Sequence, residues 1–512
     1  MRSYKSIILV LFITFAFFKS IAQESKVKIF PNRLKLSFET VSMDREEDLG
    51  FAGIGLDILQ LNHKFKSLYF GIHTYSAMSG NRPGLITLGA TAGLRFPVLK
   101  NFYIDASGFV GGGGGGNAAD GGGLIIRPYI GFEKQLKNIG LTLGISYLDF
   151  PTGEISGTQL SFGITFNGKS YFEANNPNYI KESAHASTFK KIRMALSNTY
   201  YTKFTNGSVN SFSNTENNPI GLIGAQLERD LFYNFYAIGK INGALSGGAD
   251  GYMSILLGAG YKFPILKKII SIETRALFGP SGGGEVESGG GATLQLEGGA
   301  SLQIFKTYDI KLMLGKTLAP WGDFNAQHFE VSLGKNFEVL SPKQYNYEEK
   351  INSGNYQFTK NHLAVSLLNR TYFSPDATTK NNDPYESSFN LIGFRIENFF
   401  TSQLSGTAET IWAYQGDYGA YAEGLIGITY YIPILKKINI PFKGMFGAAG
   451  GGGIDVGSGL ITQFSSGINY QLTKNNNVFL QFGKFLPIKG NFDPTFLDVG
   501  FTINLSQFFR KN

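Results

Sequence analysis

Leu497-Asp498-Val499-Gly500-Phe501-Thr502-Ile503-Asn504-Leu505 places an apolar side chain at every odd position and a polar or minimal one at every even position. A period of two marks a strand with one oily and one polar face. The same alternation ends an earlier segment, where Leu160, Phe162, Ile164 and Phe166 interleave with Ser161, Gly163, Thr165 and Asn167. It opens another at Leu363, Val365 and Leu367.

These strands sit inside a threefold repeat. Pro97-Val98-Leu99-Lys100-Asn101, Pro264-Ile265-Leu266-Lys267-Lys268 and Pro433-Ile434-Leu435-Lys436-Lys437 follow one another at 167 and 169 residues. A glycine-rich stretch trails each copy (Gly111 to Gly123, Gly279 to Gly291, Gly447 to Gly459). Beyond it the register locks at 168, as Gly131, Gly299 and Gly467 show, and likewise Gln135, Gln303 and Gln471. A period this long is a repeated domain rather than a solenoid turn. We place the units at 23–168, 188–338 and 358–512, with linkers at 169–187 and 339–357. The linkers contain polar runs such as Glu173-Ala174-Asn175-Asn176-Pro177 and Tyr347-Glu348-Glu349-Lys350.

Residues 1–22 read as a secretory signal peptide. Arg2 and Lys5 precede the apolar run Ile7 to Phe18, and Ser20-Ile21-Ala22 offers a small-x-small cleavage site before Gln23. The 512 residues include no cysteine, which excludes a disulfide framework, a thiol nucleophile and a lipidated N-terminal Cys. The 66 glycines follow no Gly-X-Y period, which excludes collagen, and 14% aromatic content does not suit a disordered chain. The net charge of +8 falls to +5 once Arg2, Lys5 and Lys19 are removed, a mild balance that predicts no nucleic-acid partner. After the leader no run approaches the roughly 20 apolar residues of a membrane helix, so a membrane form has to be a barrel.

About eight strands per unit leave roughly 20 residues per strand with its connection, as in transmembrane barrels. A soluble sandwich spaces its strands at about 8–12 residues. Long polar connections (Asn206 to Asn218, Asp376 to Tyr385) alternate with short ones (Phe96 to Asn101, Leu472 to Asn475). In these features the chain resembles the bacterial outer-membrane β-barrel class, each unit being similar in size and strand count to its small eight-stranded members. The resemblance implies an all-β, antiparallel up-and-down transmembrane fold in the bacterial outer membrane. It also implies outer-membrane lipid around the barrel, the barrel-assembly machinery as partner during biogenesis, and no cofactor. Members of the class end on an aromatic residue in phase with the last strand, a place Phe509 takes here, followed by Arg510-Lys511-Asn512.

We favour three tandem barrels, because long linkers fall only at the repeat boundaries. One 24-stranded barrel is the rival, and secreted sandwiches with buried oily faces are a third possibility. Three narrow, filled barrels imply a structural or surface-interaction role through outer loops. One wide barrel implies passive passage of polar solutes, and a lipid-modifying barrel enzyme is a weaker third reading.

The sixth strand of each unit supplies the lumen-lining candidates. Arg127, Tyr129, Gly131, Glu133 and Gln135 share a polar face with Gln295, Glu297, Gly299, Ser301 and Gln303, and with Gln463, Ser465, Gly467, Asn469 and Gln471. Their simplest role is a hydrogen-bonded filling. Lys316 and Lys484, 168 apart, fall on the oily phase near an outer strand end, where lysine can snorkel to lipid phosphates. Gly163-Ile164-Thr165-Phe166-Asn167-Gly168-Lys169-Ser170 matches a phosphate-loop pattern but alternates as a strand with no helix after it. The five histidines show no ligand spacing, and Asp120, Glu285 with Glu287, and Asp455 are too few acids per glycine-rich stretch for calcium. We therefore expect no metal. His328 near Ser332 lacks an orienting partner in sequence, so no catalytic set is expected.

Overall fold

The computed structural model describes residues 28–42, 47–59, 65–172, 187–204, 219–266, 269–342, 358–373, 378–385, 388–473 and 475–510. Residues 1–22, expected to be a signal peptide, His185, the segment Asn206 to Asn218 and the greater part of both expected linkers lie outside the described residues.

The first repeat forms β1 (Lys28–Val41), β2 (Leu49–Leu59), β3 (Leu68–Ser79), β4 (Ile86–Leu99), β5 (Phe102–Gly114), β6 (Ile125–Leu136), β7 (Ile139–Asp149) and β8 (Ser156–Phe172). The second forms β9 (Ser187–Phe204), β10 (Ile220–Asp230), β11 (Phe235–Ser246), β12 (Met253–Leu266), β13 (Ile270–Gly282), β14 (Ala292–Gln303), β15 (Tyr308–Leu318) and β16 (Asn325–Pro342). The third forms β17 (Phe358–Tyr372), β18 (Phe389–Phe399), β19 (Leu404–Gln415), β20 (Ala422–Leu435), β21 (Ile438–Gly450), β22 (Leu460–Gln471), β23 (Asn476–Pro487) and β24 (Thr495–Arg510).

Each repeat closes on itself. Within a repeat every strand pairs antiparallel with its chain neighbour, and the ends meet through Ser37↔Gly163, Ser197↔Ser332 and Leu367↔Phe501. The result is three eight-stranded antiparallel barrels, and one rung, Val339↔Phe509, ties the second to the third. The single 24-stranded barrel is thereby ruled out. The closing strands outrun the expected repeat ends at 168 and 338, reaching Phe172 and Pro342, so the linkers begin later than expected.

The side-chain facing rules out the sandwich as well. Along β7, Leu141, Leu143 and Ile145 are half exposed on the outer face, whereas Thr142 and Ser146 are buried. Apolar groups out and polar groups in is the facing a lipid solvent demands, and closure pairs the backbone groups that hydrocarbon would leave unsatisfied. Exposed aromatic residues, Phe65, Phe232, Tyr233, Phe305 and Phe400, mark the short turns at one end, as in an interfacial girdle.

Glycine on β6, β14 and β22 permits the tight bore. A Cβ on Gly131, Gly299 or Gly467 would lie 2.7, 2.0 or 2.0 Å from the cross-strand carbonyl of Leu143, Leu312 or Leu480. Real Cβ atoms do not approach that closely, so the strands could not pack with a larger residue.

The barrels assemble around a pseudo-threefold axis. The fifth strand of each packs against the third strand of another: β5 against β19, β13 against β3 and β21 against β11. The last strands, β8, β16 and β24, approach one another. Strand tilt lets both sets of contacts lie near one axis, at opposite ends.

Candidate functional site

Two kinds of place distinguish the molecule, the barrel interiors and the seams between barrels. The interiors are built from the polar phase of each strand. In the first barrel Arg33 is fully buried and donates to Asp57 at 2.9 Å, Asp105 at 2.8 Å and Glu133 at 2.8 Å. Arg95 also donates to Glu133, at 2.9 Å, and Arg127 grips Glu39 in bidentate fashion at 2.9 and 2.5 Å. The second barrel sets Lys311 between Glu228 (2.8 Å) and Glu273 (2.6 Å), and Arg275 between Glu297 and Glu330. Arg193 reaches Asp309 at 2.6 Å and Glu228 at 3.1 Å. In the third barrel Arg370 contacts Glu409, Glu423 and Asp498 at 2.7, 3.0 and 2.7 Å, while Arg395 and Lys443 also pair with Glu409.

An apolar plug covers each network on the loop side. Val41, Phe51, Phe109 and Phe150 belong to the first, Tyr201, Tyr252 and Phe324 to the second, and Tyr372, Phe389, Phe492 and Phe496 to the third. A charge taken out of water needs close partners. These interiors supply them from opposing strands and leave a filled bore.

The sequence-derived candidates take these places. Arg127, Glu133 and Glu297 are ion-pair members. Tyr129 lies under the Lys35 ammonium, 4.0 Å from its ring centre. Gln295 accepts from Lys240 and donates to Tyr201, and Gln463 donates to Glu423. Gln135 and Gln303 sit lower and bond the short-turn carbonyls of Lys137 and Lys306. Asn469 and Gln471 line a cavity in the third barrel. Lys316 is exposed on the outer face, and Lys484 pairs with Asp493 in the next loop. His328 is buried against Glu297 (2.9 Å) and Thr317 (2.9 Å), whereas the Ser332 hydroxyl receives Arg193, so the two are not brought together. Sequence reading misses Arg33, Asp57, Asp105, Arg370 and Glu409. The signal that could find them is a charged residue on the polar phase of an otherwise oily strand, as with Arg33 before Leu34 and Leu36.

The glycine-rich stretches are the seams. A Cβ on Gly123, Gly291 or Gly459, which are 168 apart, would lie 2.6 Å from the carbonyl of Ala413, Ala77 or Ala244 in a neighbouring barrel. All three also hold a positive φ of 85°, 99° and 93°. At the axis Ile86, Ile255 and Trp412, one from each barrel, form a single apolar cluster. Asp120 lies in the seam between the first and third barrels, where its carboxylate accepts from the Gly115 amide at 2.8 Å. Burial pushes its carboxyl up to about 6.

Closed ladders, an apolar outer face and charged, filled interiors define a transmembrane β-barrel protein of the outer-membrane class, built as three barrels on one chain. No protein-family model and no curated protein matches the chain. Among solved structures, the siderophore receptor PirA from Pseudomonas aeruginosa is similar over 94% of this chain and 81% of its own, at 8% identity and a TM-score of 0.28. OccK5 (OpdH) from the same organism is similar over 95% of this chain and 99% of its own, at 10% identity and a TM-score of 0.22. At such scores the likeness adds nothing to the assignment, which rests on closure and facing.

Proposed function

We propose that the protein is a closed structural and surface-interaction component of the bacterial outer membrane, displaying its outer loops from a rigid three-barrel base, and that it neither conducts nor catalyses. The observation that supports this reading is that an apolar plug closes each of the three interiors over a network of buried ion pairs. Residues 1–22 direct export, the barrel-assembly machinery inserts the chain, and the short turns face the periplasm. Lys316, exposed on the lipid phase, and Lys484 meet lipid phosphates at the outer leaflet.

Single-channel recording on the refolded mature chain, residues 23–512, in a planar bilayer tests the proposal. Verified insertions should be silent. A stable step of nanosiemens size would replace this reading with that of a pore for polar solutes.

A further inference from the structure

The third barrel departs from the other two at its short-turn end. Arg33 pairs in the ladder with Asn167, and Arg193 with Asn336, but the equivalent partner of Asn504 is Ala364. The arginine at the centre of two networks is thus an alanine in the third. Its surroundings change in step: at the repeat spacing of 168, Asp105 and Glu273 correspond to Pro441, Glu133 to Asn469, and Asp309 to Asn477.

The exchange leaves space and an excess of acceptors. A cavity of about 340 Å³ opens there, its wall including Ala364, Glu397, Tyr431, Asn477 and Gln481. Buried Glu397 accepts from two hydroxyls, Ser405 at 3.0 Å and Tyr431 at 2.8 Å, and from no guanidinium or ammonium among the described residues. Its counterparts in the other barrels, Asp57 and Glu228, receive Arg33 and Arg193. The side-chain carbonyls of Asn477 and Gln481 are buried without a donor. Buried acceptors left unpaired are expensive, and a donor entering the cavity would satisfy them.

Charge counting agrees. Histidines aside, the described interior of the first barrel balances Arg33, Lys35, Arg95 and Arg127 against Glu39, Asp57, Asp105 and Glu133. The second balances five against five once Lys262 is counted with its partner Glu228. The third sets Arg370, Arg395 and Lys443 against Glu397, Glu409, Glu423 and Asp498, one cation short at the barrel where Ala364 replaces arginine.

We propose that the short-turn mouth of the third barrel binds a small organic cation, a guanidinium or primary ammonium compound, whose charged head takes the place that the Arg33 and Arg193 side chains fill in the other barrels. Entry is from the short-turn side, and the cation is held by Glu397 with the carbonyls of Asn477 and Gln481. Arg395 also lines the cavity, but its guanidinium bonds are made to Glu409 and Asp498 and none to Glu397.

Isothermal titration of the refolded mature chain with agmatine, with glycerol as neutral control, tests this. We expect saturable agmatine binding at one site per chain and none for glycerol. Ala364→Arg supplies a tethered guanidinium and should abolish binding while raising the melting temperature. Glu397→Gln, which keeps the volume, should weaken binding at least tenfold. Absence of saturable agmatine binding to folded wild-type protein overturns the proposal, as does unchanged affinity in Ala364→Arg. If that variant does not fold, unchanged affinity in Glu397→Gln overturns it alone.

Discussion

Replacing Arg33 by methionine removes one guanidinium and leaves three buried carboxylates behind. Asp57 keeps His73 at 2.7 Å and Glu133 keeps Arg95 at 2.9 Å, but Asp105 retains only the Tyr69 hydroxyl at 2.6 Å and Lys35 at 3.6 Å. Removing one partner of a buried ion pair generally costs about 3–5 kcal/mol. The surviving second partners place Arg33→Met toward the lower end, a loss of about 3 kcal/mol. Urea unfolding in micelles, followed by far-UV circular dichroism and by band shift on unboiled gels, reads this directly. Trp412 of the third barrel packs against Ile86 of the first and will respond as well, whereas Trp321, in the last loop of the second barrel, serves as the internal reference for a change confined to the first. Arg33→Met combined with Asp105→Asn should recover part of the loss, because the least-compensated charge is then gone. A loss below about 1 kcal/mol, the value of solvated pairs, would mean that water reaches this network, and the argument for a filled bore would fail with it.

Three further outcomes follow from the seams and the outer face. Gly291→Val drives a side chain onto the Ala77 carbonyl, so spin labels at Asn81 and Glu285 should report a longer, broader distance while each barrel stays folded; an unchanged distance would count against the glycine seam. Asp120 has a folded-state pKa raised to about 6 from 3.8, so stability is greatest when it is protonated and falls as pH rises from about 4 through 6. The difference is at most about 3 kcal/mol, and Asp120→Asn should flatten that part of the melting-temperature profile. Replacing Lys316 and Lys484 together by glutamine should reduce co-purifying anionic lipid without altering the melt, and equal lipid retention would refute their phosphate role.

Much of this architecture is readable in the chain because lipid and a narrow bore impose local rules. The period of two in Leu497 to Leu505 specifies an outer and an inner face, and the 168-residue register at Gly131, Gly299 and Gly467 specifies three equivalent bores. The ion-pair networks are not readable as a whole, since Arg33 faces Asp57 directly across the β1–β2 pair but reaches Asp105 on β5 only across the closed bore. The strand ends are hidden for a different reason. Lys169 and Ser170 leave the alternation, so they read as linker, yet they stay in the β1–β8 ladder, which runs to Lys28↔Phe172. Most of all, the glycine-rich stretches read as loops or curved strand because their function lies in another barrel. Nothing local in Gly111 to Gly123 announces the Ala413 carbonyl it must fit.

The three copies agree where they touch each other and differ where they are filled. A Cβ on Gly84, Gly251 or Gly419 would meet the backbone of a neighbouring barrel within 3.0 Å, so one seam geometry occurs three times around the axis. Inside, Glu39 on β1, Thr199 on β9 and Arg370 on β17 occupy one ladder position opposite Ser161, Glu330 and Asp498, so each barrel is wired differently, balanced in the first two and one cation short in the third. Any wiring that pairs its charges serves a filled bore equally well, whereas a cyclic seam has to close on itself, which permits little variation at the contacts. The base therefore constrains its outside strictly and its inside loosely, and the loosely constrained third interior is where room for a ligand has opened.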